Sequence, residues 1–170
     1  MPSYLQRLID YNNWANRGLI EFLGGLPPET LDATAAGVYG NVRETLEHLL
    51  SSELKYHQYL ARLPRAEVPR PLRPDLGQLH GIAEQSAANL TTLVDALPEP
   101  GDFLTLRDGN RSAATILTQL VMHGCEHRAH VGTILGSLGI EPPDLDAWAH
   151  GIIACGDDWP EDWGQEPQKR

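Results

Sequence analysis

The sequence is poor in cysteine, in basic residues and in long apolar runs, and each shortage removes a class of protein. Two cysteines, Cys125 and Cys155, are too few for a disulfide framework and show no CxxC spacing. No uninterrupted apolar run reaches membrane-spanning length, and "MPSYLQRLIDYNNWANRGL" puts charged and amide residues where a secretory signal needs an apolar core. A cytoplasmic protein without membrane contact is therefore expected. Lys and Arg number 13 against 23 Asp and Glu, and a net charge of −10 repels a phosphate backbone. Nucleic acid is not an expected partner. There is also no internal repeat and no low-complexity block.

What remains is a chain of 170 residues, 41% hydrophobic, enough to bury one sizeable core. Its dominant pattern is helical. "SYLQRLIDYNNWANRGLIEFLGGLP" spaces Tyr4, Leu5, Leu8, Ile9, Tyr11, Trp14, Ala15, Leu19, Phe22 and Leu23 by threes and fours before Gly24 and Gly25 stop it. A second helix opens at Asn41, with Glu44 three residues on as in a capping box, and ends by Pro64. A third repeats this grammar from Asp75 and Gln78 to Pro98, and a fourth runs from near Ser112 to Gly136 or Gly139. "DLDAWAHGIIACG" adds a short fifth piece, and "DFLTLRDGN" reads as extended with an Asp-Gly turn. The expected fold class is an all-α four-helix bundle over residues 1–156, followed by an irregular tail, 157–170.

The connection "PRAEVPRPLRPD" carries four prolines. Extended at about 3.1 Å per residue, its twelve residues span about 37 Å, similar to the length of the second helix. It can run the length of the bundle, which favours an up-down-down-up order with a long crossover between helices two and three.

The chemistry concentrates in "VMHGCEHRAHVG", where His123, His127 and His130 fall within a roughly 60° sector of one helix. Imidazoles at i and i+4 leave adjacent turns in nearly the same direction and can converge on one ion, with Zn²⁺, Ni²⁺, Cu²⁺ or Fe²⁺ suited to neutral imidazole. The best candidate for a third ligand is His48, standing among Leu46, Leu49 and Leu50 where an apolar residue would be cheaper. His57 lies nearly opposite His48 on its helix, and His57, His80 and His150 are read as solvated or locally hydrogen-bonded. Cys125, about 200° from His123, is read as a small buried hydrophobe. "HGCEH" also matches the inverted zinc-peptidase pattern, with Glu126 as general base. That chemistry needs a distant carboxylate and a peptide cleft, and the residues after His127 read as little more than a short helix and a tail.

"MHGCEHRAHVGTILGSLGIEPPDLD" resembles the last bundle helix of the DinB-like family, whose NHxxxHRGQ pattern is matched at His123, His127 and Arg128, with Leu138-Gly139 and Pro142-Pro143-Asp144 following. "YNNWANRGLIEFLGGLP" is similar to the family's opening helix, and "TLEHLLSSELKYHQYL" to its second, whose histidine falls on His48. The resemblance implies a four-helix bundle, a homodimer and a metal centre of His48, His123 and His127 holding zinc, nickel or iron. Relatives include mycothiol-dependent maleylpyruvate isomerase and bacillithiol transferases, so it also implies a low-molecular-weight thiol cosubstrate and an electrophile. The alternative is a non-catalytic metal-binding stress-response bundle. Where the family has Gly-Gln after His-Arg, this chain has Ala129 and His130. His130 and Glu126 are therefore candidates to stand beside the ligands, with His130 read as a proton carrier or a stand-in for the glutamine ahead of a fourth ligand.

Overall fold

The computed structural model describes residues 2–64, 67–68 and 71–158. Four long helices carry the fold: α1 (Tyr4–Gly24), α2 (Val42–Leu60), α3 (Leu76–Leu93) and α4 (Ala113–Ser137). Each begins on a side chain that satisfies a free backbone N–H. Ser3 accepts from Gln6 and Ser112 from Thr115, while Asn41 with Glu44 and Asp75 with Gln78 form two reciprocal capping boxes. The ends are equally local in origin. Gly139 takes a left-handed φ of +73°, which lets Ile140 N–H reach back to Leu135 while its side chain packs on the core. Helix α3 stops short of the expected Pro98, and a 3₁₀ turn at Val94–Ala96 tightens its last turn, since a residue before proline avoids the α region.

Helices α1 and α2 each pack against both α3 and α4. Two apolar clusters fill the space between them. One joins Leu19, Ile20 and Leu23 from the end of α1 to Val42, Leu46 and Leu50 of α2, Leu79 and Ile82 of α3, and Val131, Ile134 and Leu135 of α4. The other joins Ile9 to Leu60, Leu90, Leu93, Ile116 and Leu120. The starts of α2 and α3 thus lie at the end of the bundle where α1 and α4 finish. Of the proline-rich connection, residues 65, 66, 69 and 70 lie outside the described residues; Val68 packs on the first cluster and Leu72 is exposed.

The extended stretch is a hairpin of β1 (Phe103–Leu106) and β2 (Gly109–Ser112), paired antiparallel with Leu106 opposite Gly109. The fifth piece is α5 (Ala147–His150), continued by a π-helical turn, Gly151–Cys155, onto which Asp157 folds back. Residues 159–170, most of the segment read as an irregular tail, lie outside the described residues. No described helix is long and apolar enough to cross a membrane.

The periodic reading of α1 needs one correction. Tyr4 is 94% exposed and Leu8 half so, while Asn12, Asn13 and Asn16 are buried. The inward stripe of α1 is part amide, and the reason lies in what those amides meet.

Candidate metal centre

His48 projects from the middle of α2, and His123 and His127 from successive turns of α4. Their Nε2 atoms converge: His48 and His127 each stand 3.1 Å from His123. One ligand atom from each residue lies within 4.8 Å of both others, and no Asp, Glu or Cys joins the group among the described residues. Nitrogens held tetrahedrally at about 2.0–2.1 Å from an ion stand about 3.3–3.4 Å apart, so the spacing suits a divalent transition metal. Three imidazole Nε2 atoms share one small space, and the buried Nδ1 atoms of His123 and His127 have no hydrogen-bond partner. A cation held there would take the three Nε2 lone pairs at once, with the ring hydrogens on Nδ1. The donor set fits.

Two rings wall the centre. Tyr39 stacks on His48 with centroids 4.5 Å apart and meets His127 edge-on at 5.2 Å; Tyr56 meets His123 edge-on at 5.9 Å. Neither tyrosine stood out in the sequence. His130, half-buried, has its ring 5.3 Å from that of His127 and a buried Nδ1 without a partner.

Burial holds the His123 imidazole down to about 4, helped by the charge of His48. It holds His127 to about 4 as well, with His123, His48 and His130 adding to the effect and Glu126 opposing it. Both are neutral at pH 7, as ligands must be. The unfolded chain takes up these protons near the ordinary 6.5 and the folded chain refuses them. Stability of the metal-free protein should therefore be complete above about pH 6.5 and fall progressively towards pH 4. Urea melts in EDTA at pH 7.5 and pH 5 should show a lower midpoint at pH 5, and the gap should shrink in a His123→Ala/His127→Ala double variant.

Directly behind the centre lies a buried polar network spanning all four helices. Glu53 of α2, fully buried, accepts from Asn12 (2.7 Å) and Asn16 (2.9 Å) of α1 and from Ser86 (2.7 Å) of α3. The same two asparagines accept from Arg128 of α4, at 3.0 and 2.7 Å. Burial pushes the Glu53 carboxyl up, opposed by its three donors and by the Arg128 charge. Since Arg128 follows His127, the network fixes the rotation of α4 that aims the ligands. Space for it comes from Gly124, where a Cβ would stand 2.4 Å from Asn12 Oδ1 and 2.9 Å from the Arg128 guanidinium. Gly124→Ala should cost about 1–3 kcal/mol through that overpacking despite the gain in helix propensity, read as a lowered thermal midpoint.

The other sequence candidates fall elsewhere. Glu126 is exposed on α4. Cys125 faces α1, with Arg128 Nη2 at 3.5 Å and the Tyr11 hydroxyl at 4.0 Å, so its surroundings are more polar than a small buried hydrophobe implies. His57 is half-buried and His80 exposed. Of the two expectations for His150 the local hydrogen bond is present, Nδ1 to Cys155 Sγ at 3.9 Å, but the ring is buried and packs against Tyr11 and Trp14 because α5 folds back onto α1.

An all-α bundle with three histidines gathered from two of its helices, close enough together to hold one metal ion, defines the class of the protein. Within that class the chain belongs to the DinB family, whose profile matches residues 1–154. Among curated proteins nothing matches.

Proposed function

We propose that this protein is a divalent-metal-dependent enzyme that uses a low-molecular-weight thiol for S-transfer or isomerisation. The observation that carries the reading is the convergence of three imidazoles with no fourth protein ligand among the described residues. Closed structural sites favour four ligands, and open catalytic ones three. A divalent ion held by His48, His123 and His127 keeps its positive charge and, as a Lewis acid, lowers the pKa of a thiol beside it.

The chain supplies the surroundings. Tyr39 and Tyr56 pack against the ligand rings, and the Glu53 to Arg128 network ties α4 to the other helices. His130, its ring 5.3 Å from that of His127 and its Nδ1 without a partner, would take the proton the thiol gives up. The thiol sulfur is the nucleophile, so no side chain need be one, and exposed Glu126 has no part. The same reading takes the protein to be a cytoplasmic homodimer, in keeping with its family.

The test is a screen of mycothiol, bacillithiol, glutathione and cysteine. One should bind saturably to the metal-loaded protein but not to the metal-free protein, and should react faster with a soft electrophile in its presence. His130→Gln should keep metal and thiol binding. If no thiol shows metal-dependent binding or acceleration, the centre is a staple between α2 and α4 in a non-catalytic bundle.

A further inference from the structure

A cavity of about 370 Å³ lies between α2, α4 and the β1–β2 hairpin, within the size range of small-ligand sites. Its position follows from the register of the two ligand-bearing helices. Ser52 stands four residues after His48, and Gln119 four before His123; both line the cavity. Because α2 and α4 run in opposite directions, both steps lead the same way, about 6 Å along the bundle. Tyr56 belongs to both places: its ring packs edge-on against His123, and it lines the cavity hydrogen-bonded to Gln119. The cavity therefore adjoins the metal centre, with Tyr56 between the two.

Its lining is unlike the rest of this acidic protein. Lys55 is half-buried and has no ion-pair partner among the described residues. Arg111, from the hairpin, is turned towards Asp108 at 3.4 Å, and that aspartate also lines the cavity. Lys55 and Arg111 against Asp108 leave one net positive charge. Around it stand neutral hydrogen-bonding groups, the Ser52 and Tyr56 hydroxyls and the Gln119 amide, with Leu106 and Ile116 as apolar wall. A single positive charge among neutral donors suits a carboxylate better than a doubly charged phosphate.

We infer that this cavity binds the carboxylate-bearing body of the small thiol whose sulfur reaches the metal centre, with Lys55 as its anion contact. The inference rests on the thiol reading above for the identity of the ligand, but the subsite can be measured without it. Tyr56 sets the border between the two parts, so a ligand must pass its ring to occupy both. The surface charge of the whole molecule opposes anions, and Lys55 provides the local exception that makes one carboxylate acceptable.

The experiment uses S-methylglutathione, which keeps the carboxylates but cannot offer a thiolate, with isothermal titration on the zinc-loaded protein. It should bind saturably to wild type and about tenfold or more weakly to Lys55→Gln, whose zinc content should be unchanged. Lys55→Arg should restore most of the affinity. 2-Mercaptoethanol, which lacks a carboxylate, should bind both proteins alike if the thiol reading holds, and neither if that reading alone fails. No binding of S-methylglutathione to wild type, equal binding to Lys55→Gln, or displacement by equimolar inorganic phosphate would overturn the subsite.

Discussion

Alanine at His48, His123 or His127 should lower zinc affinity by about 100-fold or more, whereas His57→Ala should leave it unchanged. Loss of groups that merely orient a ligand costs on the order of 10–100-fold, and loss of a ligand itself costs at least the upper end of that range. The three positions should act alike because their Nε2 atoms meet at one point, with His123 3.1 Å from each of the others. His57 is a fair control: it is a half-buried histidine on the same helix as His48, and it is not part of the cluster. Equilibrium dialysis against buffered zinc followed by metal analysis gives the comparison. Metal content equal to wild type in all three variants would show that the ion binds elsewhere.

The second large effect concerns stability. Glu53→Ala or Arg128→Ala should each cost about 3–5 kcal/mol, because either leaves a charge buried without its compensating partner. For a chain of this length the thermal midpoint should fall by about 6–20 °C. The hydrogen bonds run one way, from Arg128 to the two asparagine oxygens and from the asparagine amides to Glu53. Glu53→Gln should be milder than Glu53→Ala, since its Oε1 can still accept from both Asn12 and Asn16 and its amide can donate to the Ser86 hydroxyl, leaving the loss of the charge opposite Arg128 as the main cost. The double variant Glu53→Ala/Arg128→Ala removes both charges and should lose less than the sum of the two alanine singles. Urea and thermal melts of the four proteins decide it, and strict additivity would show that the two ends of the network do not interact.

The helices were legible because their signals are local. Asn41 with Glu44 and Asp75 with Gln78 announce helix starts within four residues, and Asp108-Gly109 announces the hairpin. The histidine pair on α4 was legible for the same reason, since i and i+4 share a face. His48 was visible as a polar residue among leucines. The network was not. Asn12, Asn16, Glu53 and Ser86 are polar letters that normally mark a solvent face, and each is buried against polar partners that arrive from other helices. A signal did exist: Asn12 and Asn16 are one turn apart on the side of α1 that also carries Ile9, Leu19 and Leu23. Tyr39 lies in a connection without periodicity, so no pattern points to its place over His48. The local hydrogen bond of His150 to Cys155 was within reach of the sequence, but its burial was not, since that depends on α5 folding onto α1, a contact across more than 130 residues that no local spacing encodes.

X-ray absorption at the zinc edge, on wild-type protein loaded with one equivalent, tests the central claim most directly. The account predicts three imidazole nitrogens at about 2.0–2.1 Å with the multiple scattering typical of histidine, and one lighter exchangeable ligand. A shell with a sulfur from Cys125 or Cys155, or one of oxygens with fewer than two imidazoles, would contradict it.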